Sequence, residues 1–230
     1  FGEAVVDLAA TEAAVRREAH AAAARGEVPI VPGFVGATPG GEVTTLGRGG
    51  SDHSAAVLGV CLPADLVEIW TDVDGVMSAN PRLVPDAVLL EALSYDEAME
   101  LAYFGAKVIH PYTMAPAVDR AIPIYIRNTF NPTFSGTRIH LQGSSEFAVK
   151  GFATVESVSL VNVEGTGMIG VPGTAQRLFG ALREAGISVV LISQGSSEHS
   201  ICYAVPASDG AEALRATERA FYAERHQNQI

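Results

Sequence analysis

The chain has 230 residues, 48% of them hydrophobic, enough for one large domain or two small ones with substantial cores. Its formal net charge of −11 repels nucleic acid and anionic membrane, which leaves small metabolites or other proteins as the expected partners. Apolar stretches are short and broken by glycine, proline or charge, so no transmembrane run or signal peptide is expected, and Cys61 and Cys202 read as buried free thiols in a reducing cytosol.

The first expected element is an alanine-rich helix, Thr11 to Arg25, with Thr11 as N-cap and Gly26 as stop. "VPIVPGF" then reads as a short buried strand and "GATPGGEVTT" as a loop or hairpin. "TTLGRGGSDHSAA", Thr44 to Ala56, leads into an apolar helix, and "DLVEIWTD" alternates like a strand. Ser94 and Glu97 have capping-box spacing, predicting a helix from Tyr95 to about Gly105. "AKVIHP" predicts a short helix ended by Pro111, and "IPIYIRN" a strand. Strand and helix alternate here, which predicts a mostly parallel sheet with helices on both faces.

His140 to Gly151 reads as a linker. Beyond it the order is β-α-β-β-α: "SVSLVNVEG", "PGTAQRLFGALREAG", "ISVVLIS", "SICYAVP" and "GAEALRATERAFYAER". That is one strand short of a ferredoxin-like α+β unit. The expected domains are residues 1–143 and 144–230, the last strand of the second lying beyond Ile230, coming from another segment, or being absent.

Three motifs can carry chemistry in the first half. Gly47, Gly49 and Gly50 let backbone N–H groups approach a ligand, and Ser51 can cap a helix whose N-terminus favours an anion. Arg48 can grip a carboxylate with two parallel bonds, and Asp52 supplies the opposite charge. Together they suit a ligand with carboxylate and ammonium, such as an amino acid; the plain alternative is a tight turn with a capping serine. In "WTDVDGVMSANPR", a strand ends at Thr71-Asp72, where open α/β sheets bind ligands. Thr71, Asp72, Asp74 and Arg82 can contact a nucleotide and metal-bound water there; the alternative is an acidic surface loop. Lys107 in "FGAKVIHP" can reach a nucleotide or be a solvated charge. In the second half, Gln194 and the hydroxyls of "VLISQGSSEHS" can form a small-ligand site or a polar hairpin. The six histidines show no metal-ligand spacing, so no protein-held metal centre is expected.

Taken together, "TTLGRGGSDHSAA", "EIWTDVDGVMSANPR", "SYDEAMELAYFGAKVIHP" and "IPIYIRNTFNPTFSGTRI" resemble the C-terminal half of an aspartokinase catalytic domain. "VKGFATVESVSLVNVEGTGMIGVPGTAQRLFGALREAGISVVLISQGSSEHSICYAV" resembles the ACT regulatory domain that follows it, and the combination is most similar to bifunctional aspartokinase/homoserine dehydrogenases. The resemblance implies an amino-acid-kinase fold plus ACT, and a cytoplasmic enzyme of amino-acid biosynthesis that converts ATP and L-aspartate into 4-phospho-L-aspartate and ADP with Mg2+. It implies aspartate contacts from Arg48, Gly49, Gly50, Ser51 and Asp52, and nucleotide contacts from Thr71, Asp72, Met77, Arg82 and Lys107. Met77 stands where many members have tyrosine. The family's lysine-bearing "KFGGTS" segment is not in this sequence, so the isolated chain is expected to lack kinase activity. For the ACT part the resemblance implies threonine as effector, bound by Ser188, Val189 and Gln194, and a homo-oligomer formed through ACT units. The competing expectation is an amino-acid-binding regulatory and dimerisation module with a remnant kinase half.

Overall fold

The computed structural model describes residues 4–103, 111–144, 147–195, 199–227 and 229. The chain divides into two compact units, Phe1–Thr154 and Val155–Ile230.

The first unit opens with α1, Leu8–Ala24, one turn earlier than the sequence suggests. Asp7 is the N-cap, its carboxylate accepting from Ala10 N at 3.0 Å, and aspartate is a stronger cap than threonine. "VPIVPGF" is not a buried strand: Val28 and Ile30 are 87% and 95% exposed. Pro29 and Pro32 lack the N–H groups that a ladder needs. The hairpin instead pairs β1, Val35–Ala37, with β2, Val43–Thr45.

Next come α2, Gly50–Cys61, and β3, Val67–Thr71. β4 is Ala92–Ser94 and α3 is Tyr95–Tyr103. Their junction is the predicted capping box: Ser94 N donates to Glu97 Oε2 at 2.7 Å, and Glu97 N to Ser94 Oγ at 3.1 Å. Pro111 begins a helix rather than ending one, since α4 is Pro111–Asp119 and proline suits the first helical turn. Residues 106–110 of the predicted "AKVIHP" helix lie outside the described residues. β5, Ile124–Asn128, and β6, Thr137–His140, complete a sheet of order β3-β5-β6-β4. Here β3/β5 and β4/β6 are parallel and β5/β6 antiparallel.

Strand alternation divides the sheet's two faces. Val67, Ile124, Ile126, Ile139 and Leu93 point into a core closed by Ala56 and Val60 of α2, Tyr95 and Ala98 of α3, and Met114 and Ala117 of α4. The other face carries Glu68, Trp70, Tyr125, Arg127 and Arg138. The Arg127 guanidinium stacks 5.7 Å from the Trp70 ring and 5.6 Å from Tyr125. Arg127 Nε lies 2.8 Å from Glu68 Oε1, an ion pair by distance whose N–H is not aligned on the oxygen.

In the second unit β7, Val158–Glu164, leads through a short 3-10 turn to α5, Thr174–Glu184. β8, Leu191–Gln194, and β9, Ser200–Pro206, follow. The sheet order is β7-β9-β8, all antiparallel. The last predicted helix is two pieces, α6, Gly210–Ala220, and α7, Tyr222–His226, broken at Phe221. Phe221 fills the core, and the Arg177 guanidinium covers its ring at 4.2 Å. Tyr203 OH bonds Thr217 Oγ1 at 2.7 Å inside that core. The β-α-β-β-α order read from the sequence is the one observed. Cys61 is a buried free thiol; Cys202, also free, is only partly buried.

Candidate active site

The short connection from α2 to β3 reverses the chain. Gly59, late in α2, packs so closely on Val67 at the start of β3 that an added Cβ would lie 2.8 Å from Val67 Cγ2. The start of α2 and the end of β3 therefore share one end of the unit, the end where open α/β sheets bind ligands.

At the α2 end, Gly47 and Gly49 both adopt left-handed backbone, φ 78° and 70°. L-residues pay about 1–2 kcal/mol for that conformation, so the turn selects glycine. Gly50 is needed for closeness instead, because a Cβ would lie 2.9 Å from Phe34 Cδ2. Arg48 sits exposed between the left-handed glycines. The expectation that Ser51 caps α2 fails: Gly49 is the N-cap, and Ser51 is exposed within the first turn. Ser54 is the serine that works here, accepting from Phe34 N at 3.0 Å and donating to Gly50 O at 2.8 Å. It ties the strand-side loop to the helix start, a long-range role without a local sequence signal.

Asp52 lies in the first turn of α2, half-buried, and burial pushes its carboxyl above the usual aspartate range. Among the described residues neither Arg48 nor Asp52 has an ion-pair partner. The helix start thus presents a free cation, a desolvated carboxyl and backbone N–H groups, the three features needed for a ligand of mixed charge.

At the β3 end, Thr71 Oγ1 donates to Asp72 Oδ1 at 3.1 Å, and Thr71 O accepts from Thr129 N at 2.8 Å. Asp74 is held more firmly, its Oδ1 accepting from Asn128 Nδ2 at 2.8 Å and Asn131 Nδ2 at 3.2 Å. These asparagines bind the loop after β3 to the loop after β5; sequence reasoning left them out, since each is an ordinary turn residue until the two loops meet. Gly75, φ 144°, lies against Thr137 Oγ1, and that hydroxyl accepts from Val76 N at 2.8 Å. Met77 pairs with Leu89 in an isolated antiparallel bridge, making Val76–Ser78 and Val88–Leu90 the two sides of an arm. Arg82 is exposed towards its tip, its N–H donating to Asn80 Oδ1 at 3.0 Å. Thr71 and Asp72 are brought together; Met77 and Arg82 lie farther along the same segment. Lys107 lies outside the described residues.

In the second unit, Ser188 is exposed and Val189 packs on the core just before β8; Gln194 is exposed at the end of β8. Ser188 and Val189 thus precede the strand that Gln194 ends.

The model of the amino acid kinase family matches residues 4–128, over half of the chain. The chain belongs to the amino acid kinase family. A model of the ACT domain matches residues 161–221. Among relatives of this family member, the bifunctional aspartokinase/homoserine dehydrogenase 1, chloroplastic, of Zea mays is 54% identical over 190 residues, 80% of this chain and 21% of that protein. The bifunctional aspartokinase/homoserine dehydrogenase of Haemophilus influenzae is 47% identical over 220 residues, 95% of this chain and 27% of that protein. The chain thus spans roughly a quarter of these curated relatives. Among solved structures, E. coli aspartokinase III in complex with lysine and aspartate superposes with a TM-score of 0.75 at 31% identity, covering 95% of this chain and 50% of that one. The aspartokinase resemblance carried by the sequence motifs, and the kinase-plus-ACT fold it implied, are borne out by these matches. Among the described residues, no helix is long and apolar enough to cross a membrane.

Proposed function

We propose that this chain is the aspartate- and nucleotide-holding part of an aspartate kinase, joined to a feedback-sensing ACT domain. The carrying observation is the start of α2, with exposed Arg48 between two left-handed glycines and desolvated Asp52, without an ion-pair partner among the described residues, one turn on. L-aspartate offers the matching groups: an α-carboxylate for Arg48 and the N–H groups of Gly49 and Ser51, and an ammonium for Asp52. Gly50, whose own N–H donates to Gly47 O at 3.1 Å, gives the close approach. ATP lies over the end of β3 in this reading, against Thr71, Asp72, Met77 and Arg82, with Lys107 as a further contact. Residues 1–143 then belong to the catalytic domain and 144–230 to the regulatory one, the segment up to Thr154 packing with the first unit.

The substrate's side-chain carboxylate attacks the γ-phosphorus in line. A carboxyl-oxygen-to-phosphorus bond forms as the bond from that phosphorus to the bridging oxygen of ADP breaks. No protein nucleophile is needed, so the chain's task is positioning and charge neutralisation. Among the described residues no three His, Cys, Asp or Glu side chains converge into a metal cage. Bound Mg2+ would be held largely by phosphate oxygens and water, with Asp72 the carboxylate available to its hydration shell. When bound, the ion supplies neutralisation of charge on the phosphates.

The resemblance of "VVLISQGSSEHS" to threonine-sensitive relatives supports L-threonine as effector, with Ser188, Val189 and Gln194 as contacts, in a homo-oligomer joined through ACT units. Two free cysteines support a reducing compartment, the cytoplasm in this reading.

The test is Arg48→Ala in the complete gene product. Loss of charge-assisted bonds worth about 1.5–3 kcal/mol predicts a KM for aspartate raised about ten- to hundredfold, with the KM for ATP unchanged. An unchanged aspartate KM would overturn the assignment.

A further inference from the structure

The segment leaving β6 does not run free to the second unit. Lys150 is only 11% exposed, and its Nζ lies 2.6 Å from Glu97 Oε1. Glu97 is already committed through its other oxygen to Ser94 N, so Lys150 is anchored on the capping box of α3. Gly143 crosses the same junction, where a Cβ would lie 2.6 Å from Ser94 N. Two residues beyond Lys150, Phe152 N donates to Ser78 O at 2.7 Å, and Gly151 crosses so near that a Cβ would come within 3.0 Å of that oxygen.

Ser78 is the base of the arm that carries Met77 and Arg82. Its N–H donates to Val88 O at 2.8 Å, its hydroxyl accepts from Val88 N at 3.0 Å, and Leu90 N donates to Val76 O at 2.9 Å. Elsewhere a cavity of about 860 Å³, walled by Leu83, Val84, Val88, Phe147, Val149 and Phe152, separates arm from segment. The arm is therefore fixed at Ser78 and has room to shift beyond it. Three residues after Phe152 the second unit begins, so the covalent path between the units runs through this attachment.

We propose that residues 149–152 are a strap that positions the nucleotide arm, with Lys150 as its anchor and Phe152 N–H on Ser78 as its point of action. Lys150 is thus a positioning residue for nucleotide binding, and the strap is where motion of the second unit reaches the first. This rests on the reading of Met77 and Arg82 as nucleotide contacts.

The experiment compares Lys150→Met, Lys150→Arg and Arg82→Ala in the complete gene product, by steady-state kinetics and amide hydrogen exchange. The expected result for Lys150→Met is faster exchange at Ser78, Val88 and Leu90. Its KM for ATP rises about tenfold, an ordinary size for a coupling free energy, while kcat and the aspartate KM hold within about twofold. Lys150→Arg, which keeps the charge, restores the wild-type values. Unchanged exchange overturns the strap, as does a joint rise of both KM values with a fall in kcat. If Arg82→Ala raises the ATP KM and Lys150→Met does not, the strap is wrong and the nucleotide reading stands. If neither variant raises it, the nucleotide reading fails and the strap's role fails with it.

Discussion

Asp52 is costly to the fold and, in the proposed function, is the carboxylate that the site uses. Its carboxyl is desolvated at the start of α2, so its folded-state pKa lies above the ordinary value of 3.8. A carboxyl raised in this way binds its proton more tightly when folded, so stability falls as pH rises from 3.8 through the raised value. At neutral pH the charged form opposes folding. We therefore expect Asp52→Asn to raise the urea midpoint at pH 7 and, lacking the Asp52 contribution that offsets acid loss, to fall more steeply than wild type on acidification, while aspartate binding weakens. A lower midpoint at pH 7 would contradict the assigned cost. Arg48 and Asp52 stand out as candidates in the sequence because glycine spacing and opposite charge are both local, and their place at the start of α2 is what the structure adds. Ser54, Asn128 and Thr137 were not: Thr137 Oγ1 meets Val76 N across 61 residues, and no window of sequence contains that bond.

At the scale of elements, legibility followed the strength of local chemistry. The α3 capping box was readable because Ser94 and Glu97 satisfy each other within one turn. The start of α1 was missed because Asp7 and Thr11 compete as caps and the stronger side chain took the role. β4 and β6 span three and four residues, too few to show alternation, and exist because they complete each other in the sheet. "VPIVPGF" looked buried by composition, yet two missing N–H groups outweigh its apolar side chains. Glu97 gives this scale its prediction. Burial raises its carboxyl pKa, but hydrogen bonds from Lys150 and Ser94 and the Lys150 charge outweigh that, so the net shift is below 4.5. Its contribution is complete above 4.5 and is lost as pH falls through the lower folded-state value. Urea midpoints measured from pH 7 to pH 3 are expected to drop less steeply in Glu97→Gln than in wild type. Parallel slopes would refute this.

Across the whole molecule, two separate cores mean two separate stabilities. Ile126 is wholly buried in the first core and Leu178 in the second. Truncating either to alanine removes contacts worth about 2–5 kcal/mol. Ile126→Ala is expected to lower one calorimetric transition and Leu178→Ala the other, with additive effects in the double variant, because the sites share no neighbours. A single transition moved equally by both would show that the units unfold as one. The alternation of strand and helix, then β-α-β-β-α, made the two-part architecture readable from the chain, since each part is built from contacts between elements near in sequence. The attachment of residues 149–152 to α3 and the arm was not readable, because glycine, lysine and phenylalanine there look like any linker.

Trp70, the chain's single tryptophan, stands one position before Thr71 on the opposite face of β3, half in water. Its indole N–H bonds Glu68 Oε2 at 3.3 Å, and its ring lies under the Arg127 guanidinium. The protein therefore carries its own optical reporter, one indole with a charged neighbour at the rim of the proposed nucleotide end. Any ligand that tightens the loops after β3 and β5 changes the field on that indole, and emission colour and quenching can follow the event in unlabelled protein.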